Sequence, residues 1–195
     1  MTTEMLPPTS LDAVLQRLSA LEQRAEAAEA RVNELEGRLP KDKLSLVLFS
    51  GDLDKALAAF IIATGAAAMG LEVTMFFTFW GLAAIRGKKD WGGKNVMESM
   101  LQVMSPGAST ELQPSKLAFL GAGSVMLRQM MKQRDIASLE DLIALARESG
   151  VRMVACGMSQ EVMGIRDEEL LPGIECGGVA MFVGEAQESK VSLFI

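Results

Sequence analysis

Apolar residues recur every three or four positions from Leu11 to Leu39. With Leu11 as heptad position a, the a positions are Leu11, Leu18, Ala25, Val32 and Leu39, and the d positions are Val14, Leu21, Ala28 and Leu35. The pattern predicts a coiled-coil helix over 11–39. Every g position is arginine (Arg17, Arg24, Arg31, Arg38), and the e positions after the first are glutamate (Glu22, Glu29, Glu36). In a parallel pair each g arginine faces the e glutamate five residues on in the partner, so a parallel homo-oligomer through residues 11–39 is expected. The alternative is one helix lying on its own domain, which would not require that charge order. Ala25 and Ala28 bury little area, so the coil is expected to be only moderately stable. Ser10 suits the N-cap, Gly37 weakens the last turn and Pro40 stops the helix. Residues 1–10 are expected to be a disordered N-terminus, and 40–43, with the charged "KDK", a hinge before an α/β domain over 44–195.

Past the hinge the period changes. "KLSLVLFSG" (43–51) is an apolar, β-rich run, and Asp52 opens a helix to about Met69 with Gly70 at its end. "LEVTMFFTF" (71–79), "KLAFLGAG" (116–123), "VRMVAC" (151–156) and "KVSLFI" (190–195) read as further strands. Helical patterns fill 96–104, 124–133, 138–149 and 177–187. Strands that are apolar on both faces and separated by helices imply a parallel sheet covered on both sides, a three-layer α/β/α sandwich of about five strands. The sixteen uncharged residues from Ala56 to Leu71 fall short of the roughly 20 that a spanning helix needs. They read as a buried helix and strand rather than a membrane span.

Composition then removes chemistries. The chain has 195 residues, 49% of them hydrophobic, enough for a core. A net charge of -6 gives no basic footprint, so no nucleic-acid partner is expected. With no histidine, neither Ser-His-Asp nor Cys-His catalysis nor a histidine-containing metal site is available. Cys156 and Cys176, without flanking CxxC pairs, complete no zinc site, so neither metal nor cofactor is expected. So few cysteines, and a start "MTTEMLPPTS" without the charge and apolar runs of a secretory signal, point to a reducing cytoplasm.

Cys156 falls where an apolar strand stops and a glycine begins. Ligands and chemistry gather at the carboxyl ends of strands in open parallel sheets. Gly157 permits close approach, and Ser159 is placed to cap a short helix whose amides would favour a thiolate, although Glu161 opposes that effect. These features leave two readings open, a reactive thiol and a buried structural cysteine.

The run "LFSGDLDKA" (48–56), "FFTFWGL" (76–82), "KLAFLGAGSVM" (116–126), "ACGMSQEVMGI" (155–165) and "GGVAMFVGEA" (177–186) resembles the DsrE/DsrF/DsrH-like family, in its DsrE-related, peroxiredoxin-family-like subgroup. "CGMSQEVMGI" is the most specific piece, and the similarity spans about 43–195. The resemblance implies a flavodoxin-like fold and sulfur carriage, with sulfane sulfur held as a persulfide on Cys156. It also implies rhodanese-like or TusA-like proteins as donors or acceptors. Within these motifs Gly51, Trp80, Gly121, Gly157, Met158 and Ser159 are candidates to line the site, and Cys176 is a candidate second thiol. A structural position for Cys176 at the start of the following helix is the simpler reading. No peroxidatic motif is present, so peroxidase activity is not expected.

Other features have competing readings. "FLGAG" lacks the third glycine of a dinucleotide loop, where Met126 stands. Asp52 and Asp54 place negative charge where a phosphate would sit, although helix capping accounts for Asp52. The fourteen methionines read as adaptable core rather than Cu(I) ligands. "RGKKDWGGKN" (86–95) reads as a solvated loop or as a lid or docking surface. As a lid it would bring Trp80, Lys88, Lys89 and Trp91 toward a carrier or an anionic sulfur species. Two function classes follow: a sulfur carrier working through Cys156, and a non-catalytic assembly module in which the coil gathers copies of a binding domain.

Overall fold

A computed structural model describes residues 11–90, 100, 103, 105–116 and 122–195. The chain divides into two compact units, Met1–Leu39 and Pro40–Ile195. Helix α1 (Leu11–Arg38) is a single run of 28 residues whose apolar side chains, Leu18, Leu21, Val32 and Leu35 among them, stand exposed. Ser10, the expected cap, lies outside the described residues, as does the whole of 1–10.

The second unit is a five-stranded parallel sheet in the order β4-β3-β2-β1-β5. Its strands are β1 (Lys41–Leu48), β2 (Glu72–Phe77), β3 (Arg152–Cys156), β4 (Glu175–Gly177) and β5 (Ser189–Phe194). Helix α2 (Leu53–Ala68) links β1 to β2, while α3 (Ala122–Gln133) and α4 (Leu139–Glu148) precede β3. A short α5 (Gly157–Met163) follows β3, and α6 (Val179–Glu188) carries the chain from β4 across the sheet to β5. This is a flavodoxin-like α/β architecture preceded by a helix. No described helix is long and apolar enough to cross a membrane.

The core lies mainly on one face. There Leu46, Leu48, Met75, Phe77, Met153 and Ala155 meet α2 through Ala56, Ala59, Phe60 and Ala63, with α4 adding Leu142, Ile143 and Ala146. The alanines let α2 lie close to the sheet, and Phe60 packs its ring 5.9 Å from that of Phe77. Ser138 starts α4 with a capping box: its hydroxyl accepts from the Asp141 amide, and the Asp141 carboxylate accepts from the Ser138 amide.

The second face carries less. Phe76, Val154 and Cys156 form a small cluster there, covered by Met181 and Phe182 of α6. None of the α6 side chains is fully buried, and most of β5 is exposed. The expectation of strands buried on both faces therefore holds for β1 to β3 and fails for β5, an edge strand with one neighbour. Residues 41–43, expected to be a hinge, begin β1 instead. Lys41 bonds Glu188 at 2.8 Å and Lys43 bonds Glu185 at 3.2 Å, so charge is accommodated at the exposed start of a strand. Of the strand expected over 116–123, residues 117–121 lie outside the described residues, and Ala122 and Gly123 open α3. The helix expected over 96–104 likewise falls almost wholly outside them.

The loops after β1 and β2 interlock. A Cβ at Gly81 would collide with the Leu48 carbonyl oxygen, and one at Gly51 would come within 3.0 Å of the Trp80 carbonyl oxygen. The Gly81 amide donates to the Phe49 carbonyl at 2.9 Å, and the Thr78 amide to that of Leu48 at 3.1 Å. Between them Phe79 takes a positive φ of 47°, strained for an aromatic residue, with its ring 5.6 Å from Phe49. This junction fixes where Thr78 and Trp80 point.

Candidate functional site

The register sets the site. Phe77 of β2 pairs with Ala155 of β3, so the next residues, Thr78 and Cys156, emerge side by side at the carboxyl edge of the sheet. Cys156 occupies the N-cap position of α5, and Ser159 lies one turn in. The expectation that Ser159 caps this helix is thus corrected: the helix starts three residues earlier, with Cys156 at the cap position, and Ser159 is buried inside its first turn. Its hydroxyl hydrogen-bonds that of Thr78 at 2.7 Å.

These groups act on the Cys156 thiol. Burial is the largest single influence and pushes the thiol up, since Cys156 is only 1% exposed. Hydrogen bonding from the Ser159 hydroxyl and amide, the Thr78 hydroxyl and the Met158 amide opposes it, and the sum leaves the thiol below its ordinary range. Cys156 makes no side-chain capping bond of regular geometry, so the amides act on it as nearby dipoles rather than as a formal cap. The thiolate is the nucleophile in sulfur chemistry, and a donor-lined sulfur at a strand end is suited to that work.

Cys176 differs in every respect. It is exposed and sits in the edge strand β4, not at the start of a helix as expected. Its strand was missed because three residues are too few to show a period. Burial of its sulfur pushes the thiol up, and the negative charges of Asp167, Cys156 and Glu161 push it further. Cys176 pairs with Ala155, and Cys156 with Gly177, so alternation along the strands sends the two cysteines to opposite faces of the sheet. A Cβ on Gly157 would lie 3.2 Å from the Cys176 sulfur, which places that sulfur beneath Gly157. The two cysteines are one register position apart on adjacent strands and face opposite sides of the sheet.

The remaining expected residues disperse. Gly51 and Trp80 pack on each other at the ends of β1 and β2 and line a cleft whose walls do not include Cys156. Met158 is exposed beside the site, while Gly121 and Trp91 lie outside the described residues. Asp52 holds the N-cap position of α2 without a capping bond; its carboxylate accepts from the Ser50 hydroxyl at 2.8 Å and pairs with Lys55 at 2.8 Å.

Part of the segment expected to be a solvated loop or lid is anchored. Arg86 is buried and ion-paired to Glu169, also buried. The Glu169 carbonyl accepts from the Gly87 amide at 2.8 Å, its carboxylate accepts from the Asp90 amide at 3.2 Å, and Arg166 bonds Asp90 at 3.0 Å. Residues 86–90 are therefore fastened to the turn after α5. Neither Thr78 nor the Arg86–Glu169 pair was singled out in the sequence. Thr78 was findable, because it follows a strand end in "FFTFWG" as Cys156 does in "VACGMS".

Residues 40–194 match the DsrE/DsrF/DrsH-like family. The chain belongs to that family. The DsrE-like match takes in all but the last residue of the second unit, including both cysteines, and leaves α1 outside. Uncharacterized protein YrkE of Bacillus subtilis is 43% identical over 78% of this chain and 96% of its own length. Sulfur carrier protein DsrE2 of Allochromatium vinosum is 31% identical over 80% of this chain and 100% of its own. Among solved structures, YchN of E. coli aligns with a TM-score of 0.49 at 12% identity, over 78% of this chain and 98% of that one.

The donors around Cys156 predict a measurable ionisation. In a Cys176→Ser background, thiolate absorbance titrated against pH should show Cys156 ionising below the ordinary thiol range. Ser159→Ala should move that inflection up, because it removes a donor that favours the anion. An inflection unchanged by Ser159→Ala would show that the hydroxyl does not set it.

Proposed function

We propose that this protein is a sulfur carrier that holds sulfane sulfur as a persulfide on Cys156. The observation that carries the reading is the lowered Cys156 thiol at the strand end, lined by Thr78, Ser159 and two backbone amides. Family membership and the 31% identity to a sulfur carrier over that protein's full length support it. In loading, the Cys156 thiolate attacks the outer sulfur of a donor persulfide R–S–SH; a Cys156 S–S bond forms, the donor S–S bond breaks, and R–S⁻ leaves. In unloading, an acceptor thiolate attacks the outer sulfur of Cys156–S–SH, a new acceptor persulfide forms, and the Cys156 thiolate leaves with the electron pair. No external oxidant enters either step, and a low thiol pKa makes Cys156 a good leaving group in the second. Rhodanese-like or TusA-like proteins are the donors and acceptors in this reading.

The burial of Cys156 favours a second reading, a binding or assembly module in which this thiol only fills the core. Intact-mass spectrometry after incubation with polysulfide separates the two. Sulfur carriage predicts a reducible gain of about one sulfur atom, ~32 Da, in wild type and Cys176→Ser and none in Cys156→Ser. No gain in wild type would favour the module.

In the same proposal α1 assembles copies of the chain. Its exposed Leu18, Leu21, Val32 and Leu35 form one stripe, flanked by the arginine and glutamate positions that pair in parallel coils. Leu18→Asp with Leu35→Asp, made in the full chain, should lower the mass read by light scattering toward that of a monomer. An unchanged mass would remove the coil as the assembly element.

A further inference from the structure

The carboxyl end of β1 opens into a cleft of about 710 Å³. Strand order reverses at β1, with β2 to β4 extending to one side and β5 lying on the other. In open parallel sheets small ligands bind outside the strand ends where the order reverses. The contents of the walls narrow the ligand further. Trp80, 44% exposed, gives one wall a flat apolar surface. Both signs of charge are present: Lys55 pairs with Asp52 at 2.8 Å, and Lys89 faces Glu111 at 3.9 Å, beyond hydrogen-bond reach. Ser105 also lines the cleft; it is 7% exposed, and its hydroxyl has no hydrogen-bond partner among the described residues. A buried hydroxyl left unmatched is costly in a folded protein and marks a place where a partner belongs.

From this arrangement we infer that the cleft binds a small zwitterionic peptide. Its carboxylates engage the lysines and the Ser105 hydroxyl, its ammonium group engages Asp52 and Glu111, and its body lies against Trp80. A phosphate or nucleotide fits less well, because two carboxylates in the walls repel a polyanion. The volume lies within the range of small-molecule sites and exceeds the needs of a single amino acid. The site is separate from the sulfur chemistry, since Cys156 is not among its walls; Trp80 lies two residues beyond Thr78.

The probe is S-methylglutathione, a tripeptide with both charges and no free thiol, titrated calorimetrically into the full chain. Saturable binding near one per chain is expected. It should weaken about tenfold or more in Lys89→Glu, as for a lost charge-assisted hydrogen bond. It should weaken less in Ser105→Ala and persist in Cys156→Ser, with circular dichroism showing each variant folded. Absence of saturable binding, equal affinity in Lys89→Glu, or tighter binding of inorganic phosphate than of the peptide would overturn the assignment. Because the probe cannot exchange sulfur, its binding and persulfide formation succeed or fail separately.

Discussion

The register of β2 on β3 is the constraint on which the rest of the structure depends. With Phe77 opposite Ala155 and Phe76 opposite Val154, Thr78 and Cys156 must leave the sheet together and on the same face. A slip of one residue would turn Met75 and Phe77 out of the main core and onto the thinly covered face. Packing of those two side chains beneath α2 thus holds a hydroxyl beside a thiol at the opposite surface of the sheet. The glycines at 51 and 81 let these two loops approach closely in the same arrangement, because a Cβ at either position would press on the Trp80 or Leu48 carbonyl oxygen.

The carboxyl edge treats its two sulfurs differently. Cys156 is buried among donors, and those donors outweigh the burial. Cys176 is exposed beneath Gly157 with two carboxylates and the other sulfur acting against its ionisation. Exposure and ease of ionisation therefore run in opposite directions at this edge. The Arg86–Glu169 pair ties the segment after β2 to the turn after α5. Two charges taken from water contribute little net stability, but losing one partner costs about 3–5 kcal/mol, which makes such a pair a fixer of geometry.

The architecture was legible because hydrophobic period and β-rich runs are strong signals over long segments. The helices at α2, α4 and α6 and the strands β1, β2, β3 and β5 follow them closely. Cys156 was legible by its place at a strand end and by its family motif. The Arg86–Glu169 pair was not, since its two residues come from segments distant in sequence, and no local pattern announces a buried ion pair. Residues 41–43 read as a hinge because three charged residues look like linker. The two lysines instead find carboxylates on α6, and Asp42 pairs with Lys190 of β5, all nearly 150 residues away in sequence. The opposite facing of the two cysteines is likewise a product of pairing, invisible until β4 is set beside β3.

The pH dependence of the rate of sulfur loading onto the full chain tests the central claim most directly, because it joins the electrostatics of Cys156 to its chemistry. The account predicts a rate that rises with the Cys156 thiolate and levels off below the pH at which an ordinary thiol ionises. A rate that follows the raised ionisation of Cys176, or that shows no inflection, would contradict it.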